Sequence, residues 1–318
     1  MPYKLKNDRR HKFEETKYKI SNWKEYEQGL KNRGSLTIWF SDDAISAWSP
    51  LAISKKKGGQ QLYSDMAIET ALTVRLVYKL GLRQTEGFLE SISKLMNIDI
   101  KIPDHTTLSR RSNGLKLQQI ERKPGEPVEI IVDSSGLKIS GTGEWCQSKY
   151  GDSKKRSWKK IHIAIDEATK EILSMELTSN SVGDETVLPL LVNKIEEKVD
   201  AIIADGAYDA VNTNNIDPSI LLIIPPRKDA VLSNNFEDDP TIRDEHLLLI
   251  ESKGKGFWQK ESGYTRRSLV ENTFFRYKKV IGNCLRSKRV FSQKVEAAIG
   301  CKILNIMSKL GMPETIRI

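Results

Sequence analysis

The sequence predicts an α/β fold preceded by a helical region, and three observations carry that prediction. After residue 127, short apolar runs rich in β-branched residues recur as VEIIVDSS, IHIAIDEAT, EILSMELTS, DAIIADGAYDA and SILLIIPPR. They have the length and composition of buried strands. Amphipathic segments such as DETVLPLLVNKIEEKV and KVEAAIGCKILNIMSKLG alternate with them. Before residue 127 the periodicity is helical instead.

Taken in order, Met66, Ile68, Ala71, Leu72, Val74, Leu76, Val77 and Leu80 recur at three- and four-residue steps, predicting a helix from Ser64. Gly81 reads as its C′ stop, and QTEGFLESISKLM as a second helix. Asp104 is placed to cap a short third helix that ends in Arg110 and Arg111. Two helices and a short basic third outline a helix-turn-helix-like unit, with these arginines as candidate DNA contacts. KPGEPVE marks the change of texture, giving a helical DNA-binding region over 1–126 and a second domain over 127–318. There, three strands (the second and third joined by a tight ATK turn), a helix, a strand, a short helix, a strand and further helices follow. That is the element order of a ribonuclease H-like mixed sheet flanked by helices. The acidic stretch at about 227–257 reads as an insertion before the penultimate helix, either strand-rich or a simple loop.

Composition narrows the function. Hydrophobic content of 38% and charged content of 29% over 318 residues fit a globular chain. No apolar run approaches the ~18–20 residues of a membrane span, and the charged N-terminus lacks the apolar core of a secretory signal. Cys146, Cys284 and Cys301 are too scattered for a disulfide framework or a zinc site and suit a reducing cytoplasm. The net charge is +9, concentrated in 260–294, where ten Lys and Arg face two acids. Such clustering is the footprint of a nucleic-acid binder, although a basic surface also serves solubility. The four histidines form no site, and GxSxG, Walker A and GxGxxG motifs are absent.

Carboxylates at the C-terminal ends of strands face the ligand crevice of an α/β sheet. Asp133 ends the first predicted strand and Asp205 the fourth, and Glu271 on a later helix can join them. Such oxygen ligands suit Mg²⁺ or Mn²⁺, two of which can carry phosphoryl transfer. The competing reading of each aspartate is a turn former. Asp166 reads as a hairpin residue, Asp184 as the cap of the helix after Gly183, Asp209 as orienting the Asp205 loop or contacting solvent, and Asp42 and Asp43 as a helix cap. Around Glu271 the spacing is Y-x2-R-x3-E-x6-K. On a helix of about 100° per residue, Tyr264, Arg267, Glu271 and Lys278 share an arc of about 60°. Arg266 and Arg276 fall outside it, as general basic surface. The modest alternative is an intrahelical Arg267–Glu271 pair, worth ~0.2–0.5 kcal/mol. Trp258 either stacks on an unpaired base or packs the insertion. Within GDSKKRSWKK, Lys154, Lys155, Arg156 and Trp158 read as a DNA-binding loop or a solvated hairpin tip.

The spacing resembles the YREK signature of bacterial insertion-sequence transposases of the DDE class. VDSSGLKI, SKKRSWKKIHIAIDEAT, VGDETVLPLL, ADGAYD and LNIMSKLGMP are similar to the same family, in the same order. The resemblance implies a catalytic and metal-binding triad of Asp133, Asp205 and Glu271, with Arg267 and Lys278 gripping the transposon end beside Tyr264. It implies hydrolysis at each element end, then attack of the freed 3′-hydroxyl on target DNA, with two Mg²⁺ ions (Mn²⁺ substituting) as cofactor. Expected partners are terminal inverted repeats, target DNA and at least one further copy of the chain, in a nucleoid-associated cytoplasmic setting without membrane. The alternatives are a ribonuclease H-like nuclease or resolvase that does not join strands, and a non-catalytic DNA-binding descendant.

Overall fold

The computed structural model describes residues 17–50, 61–117, 127–140, 158–209 and 216–318. Strand β1 (Tyr18–Ile20) and helix α1 (Trp23–Asn32) are followed by short helices α2 (Leu36–Trp39) and α3 (Asp42–Ser46). Ser41 caps α3 by accepting from the Ala44 amide, so Asp42 and Asp43 lie in its first turn rather than at the cap. Helix α4 (Asp65–Val77) starts at a Ser64 cap and buries residues around most of its circumference. It stops before Gly81 because Lys79 takes the left-handed position, at φ 57°. Gly81 instead opens α5 (Leu82–Leu95), its amide donating to Gln84 Oε1. Asp104 caps α6 (His105–Arg111) as expected, accepting from the amides of Thr106 and Thr107.

The sheet is built from β2 (Val128–Ile139), β3 (Trp158–Asp166), β4 (Ile172–Ser179), β5 (Val199–Ala204), β6 (Leu221–Ile223) and β7 (Cys284–Leu285). Its order is β4-β3-β2-β5-β6, with β7 also paired to β2. β2, β3 and β4 are antiparallel neighbours, whereas β5 and β6 run parallel to β2. This is the ribonuclease H-like mixed sheet expected from the element order. The β3–β4 turn is closed by Asp166, which accepts from the Ala168 amide and the Thr169 hydroxyl.

Alternation along the strands sorts the core into two layers. Ile131, Leu137, Ile163 and Ile203 face α10 (Ser268–Val280) and α11 (Val290–Lys309), meeting Val270, Phe274 and Ala297. Ile130, Val132, Ala164 and Ile202 face α7 (Asp184–Val192), meeting Val187, Leu188 and Leu191. Gly300 lets α10 approach α11, because a Cβ there would lie 2.8 Å from the buried Tyr277 hydroxyl.

The 227–257 stretch is neither strand-rich nor a simple loop. Its second half is helical, with α8 (Ile242–Lys253) running into α9 (Lys255–Glu261) across Gly254. Asp244, almost fully buried, accepts from the amides and hydroxyls of Ser233 and Thr241. Burial opposes its ionisation, but these bonds hold the carboxyl well below the usual range. Local polar satisfaction explains why so acidic a segment packs.

Contacts divide the chain into two units, drawn differently from the sequence boundary at 126/127. One comprises the described residues up to Ile38 together with Ile306–Ile318, the other Trp39–Asn305. In the first, β1 pairs antiparallel with β8 (Thr315–Arg317), and Asn22 clasps the returning chain through Met312 O and the Glu314 amide. In the second, α4, α5 and α6 belong with the sheet.

Candidate active site

Position along β2 decides which way each polar residue points. Val132 pairs with Ala204, the last registered pair of the parallel β2–β5 ladder. Asp133 and Asp205 therefore follow side by side where the two strands part. Asp133 does not end its strand, since β2 continues against β3 to Lys138. It ends only the contact with β5, which opens the crevice. Asp205 caps a 3₁₀ turn, Gly206–Tyr208, accepting from the Ala207 amide at 2.9 Å. The turn-former reading thus holds for Asp205 alongside its position at the crevice.

Asp133 shares the parity of Ile131 and faces α10. There the expected single helix is two pieces: Tyr264–Arg267 form a 3₁₀ turn, entered through Gly263 at φ 70°, and α10 begins at Ser268. The even 100° spacing therefore fails for Tyr264 and Arg267. The residues converge nonetheless. The Arg267 guanidinium donates to Asp133 Oδ2 at 3.1 Å and to Glu271 Oε1. The predicted intrahelical pair is present, extended into a bridge between two carboxylates. Lys278 Nζ donates to Ser135 Oγ at 2.7 Å, since Ser135 shares the parity of Asp133.

Electrostatics tie the group together. Burial pushes the Asp133 carboxyl up to about 6; the Ser134 amide and Arg267 oppose the rise, while Asp205 and Glu271 add to it. Burial likewise raises the Tyr264 hydroxyl, with Arg267 opposing and the three carboxylates adding. Burial works against the Arg267 charge, but Asp133, Tyr264, Glu271 and Asp205 together hold its proton more tightly than usual. Among the described residues no three His, Cys, Asp or Glu side chains form a ready metal cluster. Arg267 stands between two of the carboxylates and supplies the positive charge there. The donors still fit a hard divalent cation, being oxygen only and carried where β2 and β5 part and on one facing helix.

On the other face, Ser134 donates to Asp184 Oδ2 at 2.9 Å and Lys160 Nζ to Asp184 Oδ1 at 2.8 Å. Gly183, not Asp184, is the N-cap residue of α7, and the Asp184 side chain is spent on these bonds. His162, fully buried, lies 4.0 Å from Asp184 and contacts Thr178 Oγ1; burial holds its imidazole below the usual range, against the pull of Asp184. This layer behind Asp133 was not foreseen, though the one-residue offset of Ser134 from Asp133 would have pointed to it.

Asp209 orients the Asp205 loop, pairing with Arg243 of α8 at 2.9 Å and accepting from the Arg227 amide. Trp258 is fully buried against His246 and Tyr264, so it packs the insertion. Arg266 is not general basic surface, because it pairs with Glu129 of β2. Arg111 is engaged by Asp65 at 2.6 Å and Tyr63 O, whereas Arg110 is exposed. Trp158 opens β3 beneath Lys138, 5.9 Å from its ring centroid. Lys154, Lys155 and Arg156 lie outside the described residues.

Two family models, both described as a transposase DDE domain, match residues 31–142 and 124–307. The chain belongs to the DDE transposases. Solved structures similar to this DDE transposase include a piggyBac transposase synaptic complex with hairpin DNA, at 14% identity over 91% of this chain and 77% of that one, TM-score 0.39. Another is a Drosophila P element transposase strand transfer complex, at 12% identity over 89% and 86%, TM-score 0.32. No helix among the described residues of this transposase is long and apolar enough to cross a membrane. Members of the class use divalent metal ions, and the carboxylate end of β2 and β5 is where this chain could bind them.

Proposed function

We propose that the chain cleaves the phosphodiester at each end of an insertion sequence and joins the freed 3′-hydroxyl to target DNA. The observation that carries this reading is the convergence of Asp133, Arg267 and Glu271 beside the strand end that holds Asp205. In this reading Asp133, Asp205 and Glu271 bind two Mg²⁺ ions, with Mn²⁺ able to replace them. Bound there, the ions stabilise the attacking and leaving oxygens of the phosphoryl transfer.

The chain's own groups do the rest. Asp133 must be ionised to serve, which its raised pKa delays to near-neutral pH. Arg267, compensating two carboxylates in the free protein, turns to a DNA phosphate once those carboxylates bind cations. Lys278 and Tyr264 flank the same crevice as further DNA contacts, and in this reading Trp158, Lys154, Lys155 and Arg156 also bind DNA. Arg110 is the better-placed basic residue of α6, since Arg111 is already paired. The terminal inverted repeats are engaged by a homodimer or higher assembly, nucleoid-associated in the cytoplasm, with 1–126 supplying end recognition.

A strand-transfer assay with a pre-cleaved end tests the reading. Joined product dependent on Mg²⁺ is expected. Cleavage of intact ends without any joining would instead establish the nuclease or resolvase alternative.

A further inference from the structure

Away from the carboxylates, a cavity of about 310 Å³ opens between α4, α6, the 286–289 segment and the start of α11. Its lining holds Arg75, Arg286, Lys288 and Arg289 against a single acid, Glu296. Glu296 is already committed, since its two oxygens accept from the Arg286 and Ser287 amides at 2.8 Å each. Those bonds fix the basic segment at the cavity rim. Arg286 is further anchored through Leu80 O at 3.1 Å.

Arg75 is the unusual member. It is only 7% exposed, and its Nε is buried without a hydrogen-bond partner. A buried guanidinium donor left unpaired is costly, and the ordinary remedy is an anion. Burial lowers the Arg75 pKa, Glu296 opposes that and Arg286 adds to it, so the two guanidiniums feel each other. Serine hydroxyls, including those of Ser109 and Ser287, line the same space. Arginine forks and hydroxyls are suited to phosphate oxygens.

We propose that this cavity is a phosphoryl-binding site, distinct from the catalytic carboxylates, with Arg75 as its buried anchor and Arg286 as its rim contact. It takes either a DNA backbone phosphate or a free phosphate. The inference needs no metal and no strand transfer, so it stands or falls apart from the proposed activity.

Calorimetric titration of the full chain with inorganic phosphate, without divalent metal and at fixed ionic strength against chloride, tests it. Saturable binding of one phosphate per chain is expected, weakened about tenfold or more by Arg75→Gln. Arg75→Lys, which keeps the charge but loses the Nε donor, should fall between. Should Arg75→Gln fail to fold, Arg286→Gln on the exposed rim must weaken binding severalfold. Displacement of phosphate by a short duplex assigns the site to DNA; binding unaffected by duplex assigns it to free phosphate. Absence of saturable binding, or equal affinity in folded Arg75→Gln and Arg286→Gln, overturns the proposal.

Discussion

The crevice at β2 and the cavity beneath α4 pose opposite electrostatic problems. At the crevice, Asp133, Asp205 and Glu271 approach one another and a single arginine, Arg267, offsets them. At the cavity, four cationic side chains gather and a single glutamate, Glu296, is tied to backbone amides. Folding does not reward either excess, because like charges drawn out of water repel. The sign of each surplus therefore points to the ligand: cations where carboxylates crowd, phosphate where guanidiniums do.

The largest expected effect breaks the crevice side of this comparison. Glu271→Gln should lower metal-dependent cleavage by about 10³-fold or more, while binding to a labelled insertion-sequence end, read by gel shift, survives. The variant keeps size and loses the charge a divalent ion requires. Unchanged cleavage would remove Glu271 from the catalytic set.

Arg267→Ala sharpens the claim that this side chain compensates buried acid. It leaves the Asp133 carboxylate without its guanidinium, costing about 1–3 kcal/mol at pH 8. The cost should shrink below pH 6, where Asp133 takes up a proton, and denaturant unfolding at the two pH values measures it. The wild type carries the same sign. Its folded Asp133 has a pKa of about 6 against an ordinary aspartate value of 3.8, so the folded state holds the proton more tightly. Stability present at low pH is lost as pH rises through about 6. Asp133→Asn removes that loss and should be the more stable protein above pH 6, by on the order of 1–3 kcal/mol.

Arg243→Ala tests whether the helical insertion supports the crevice. Asp209 is buried, and losing its partner should cost about 1–3 kcal/mol in thermal unfolding and reduce cleavage by loosening the Asp205 loop. The smallest effect belongs to Arg266→Ala. Its pair with Glu129 is partly exposed, and less than ~1 kcal/mol is expected.

Much of this was legible in the sequence, for identifiable reasons. Buried strands announce themselves by composition, so the sheet and the relation of Asp133 to Asp205 could be read directly. Glu271 and Lys278 share one helix and its spacing, whereas Arg267 lies in the preceding 3₁₀ turn and meets Glu271 despite the broken periodicity. Partners across elements were hidden. Nothing local reveals that Arg266 meets Glu129 or that Arg111 meets Asp65, since each contact joins distant segments. The break between a 3₁₀ turn and α10 was also invisible, because both look helical by periodicity. The acidic insertion misled in the same way. Asp244 gathers four hydrogen bonds there, while Leu249 and Ile250 pack against the core.

The central claim is that Asp133, Asp205 and Glu271 form one metal-binding catalytic set for DNA joining. Asp205 is its most exacting member, because it also has an ordinary structural role as the cap of the Gly206–Tyr208 turn. The direct measurement is strand transfer by Asp205→Ala with a pre-cleaved end and Mg²⁺, alongside Asp205→Ser, which retains a capping oxygen but not a carboxylate. The account expects both variants to bind the end and neither to join it. Joining by either variant at a rate near wild type would contradict it.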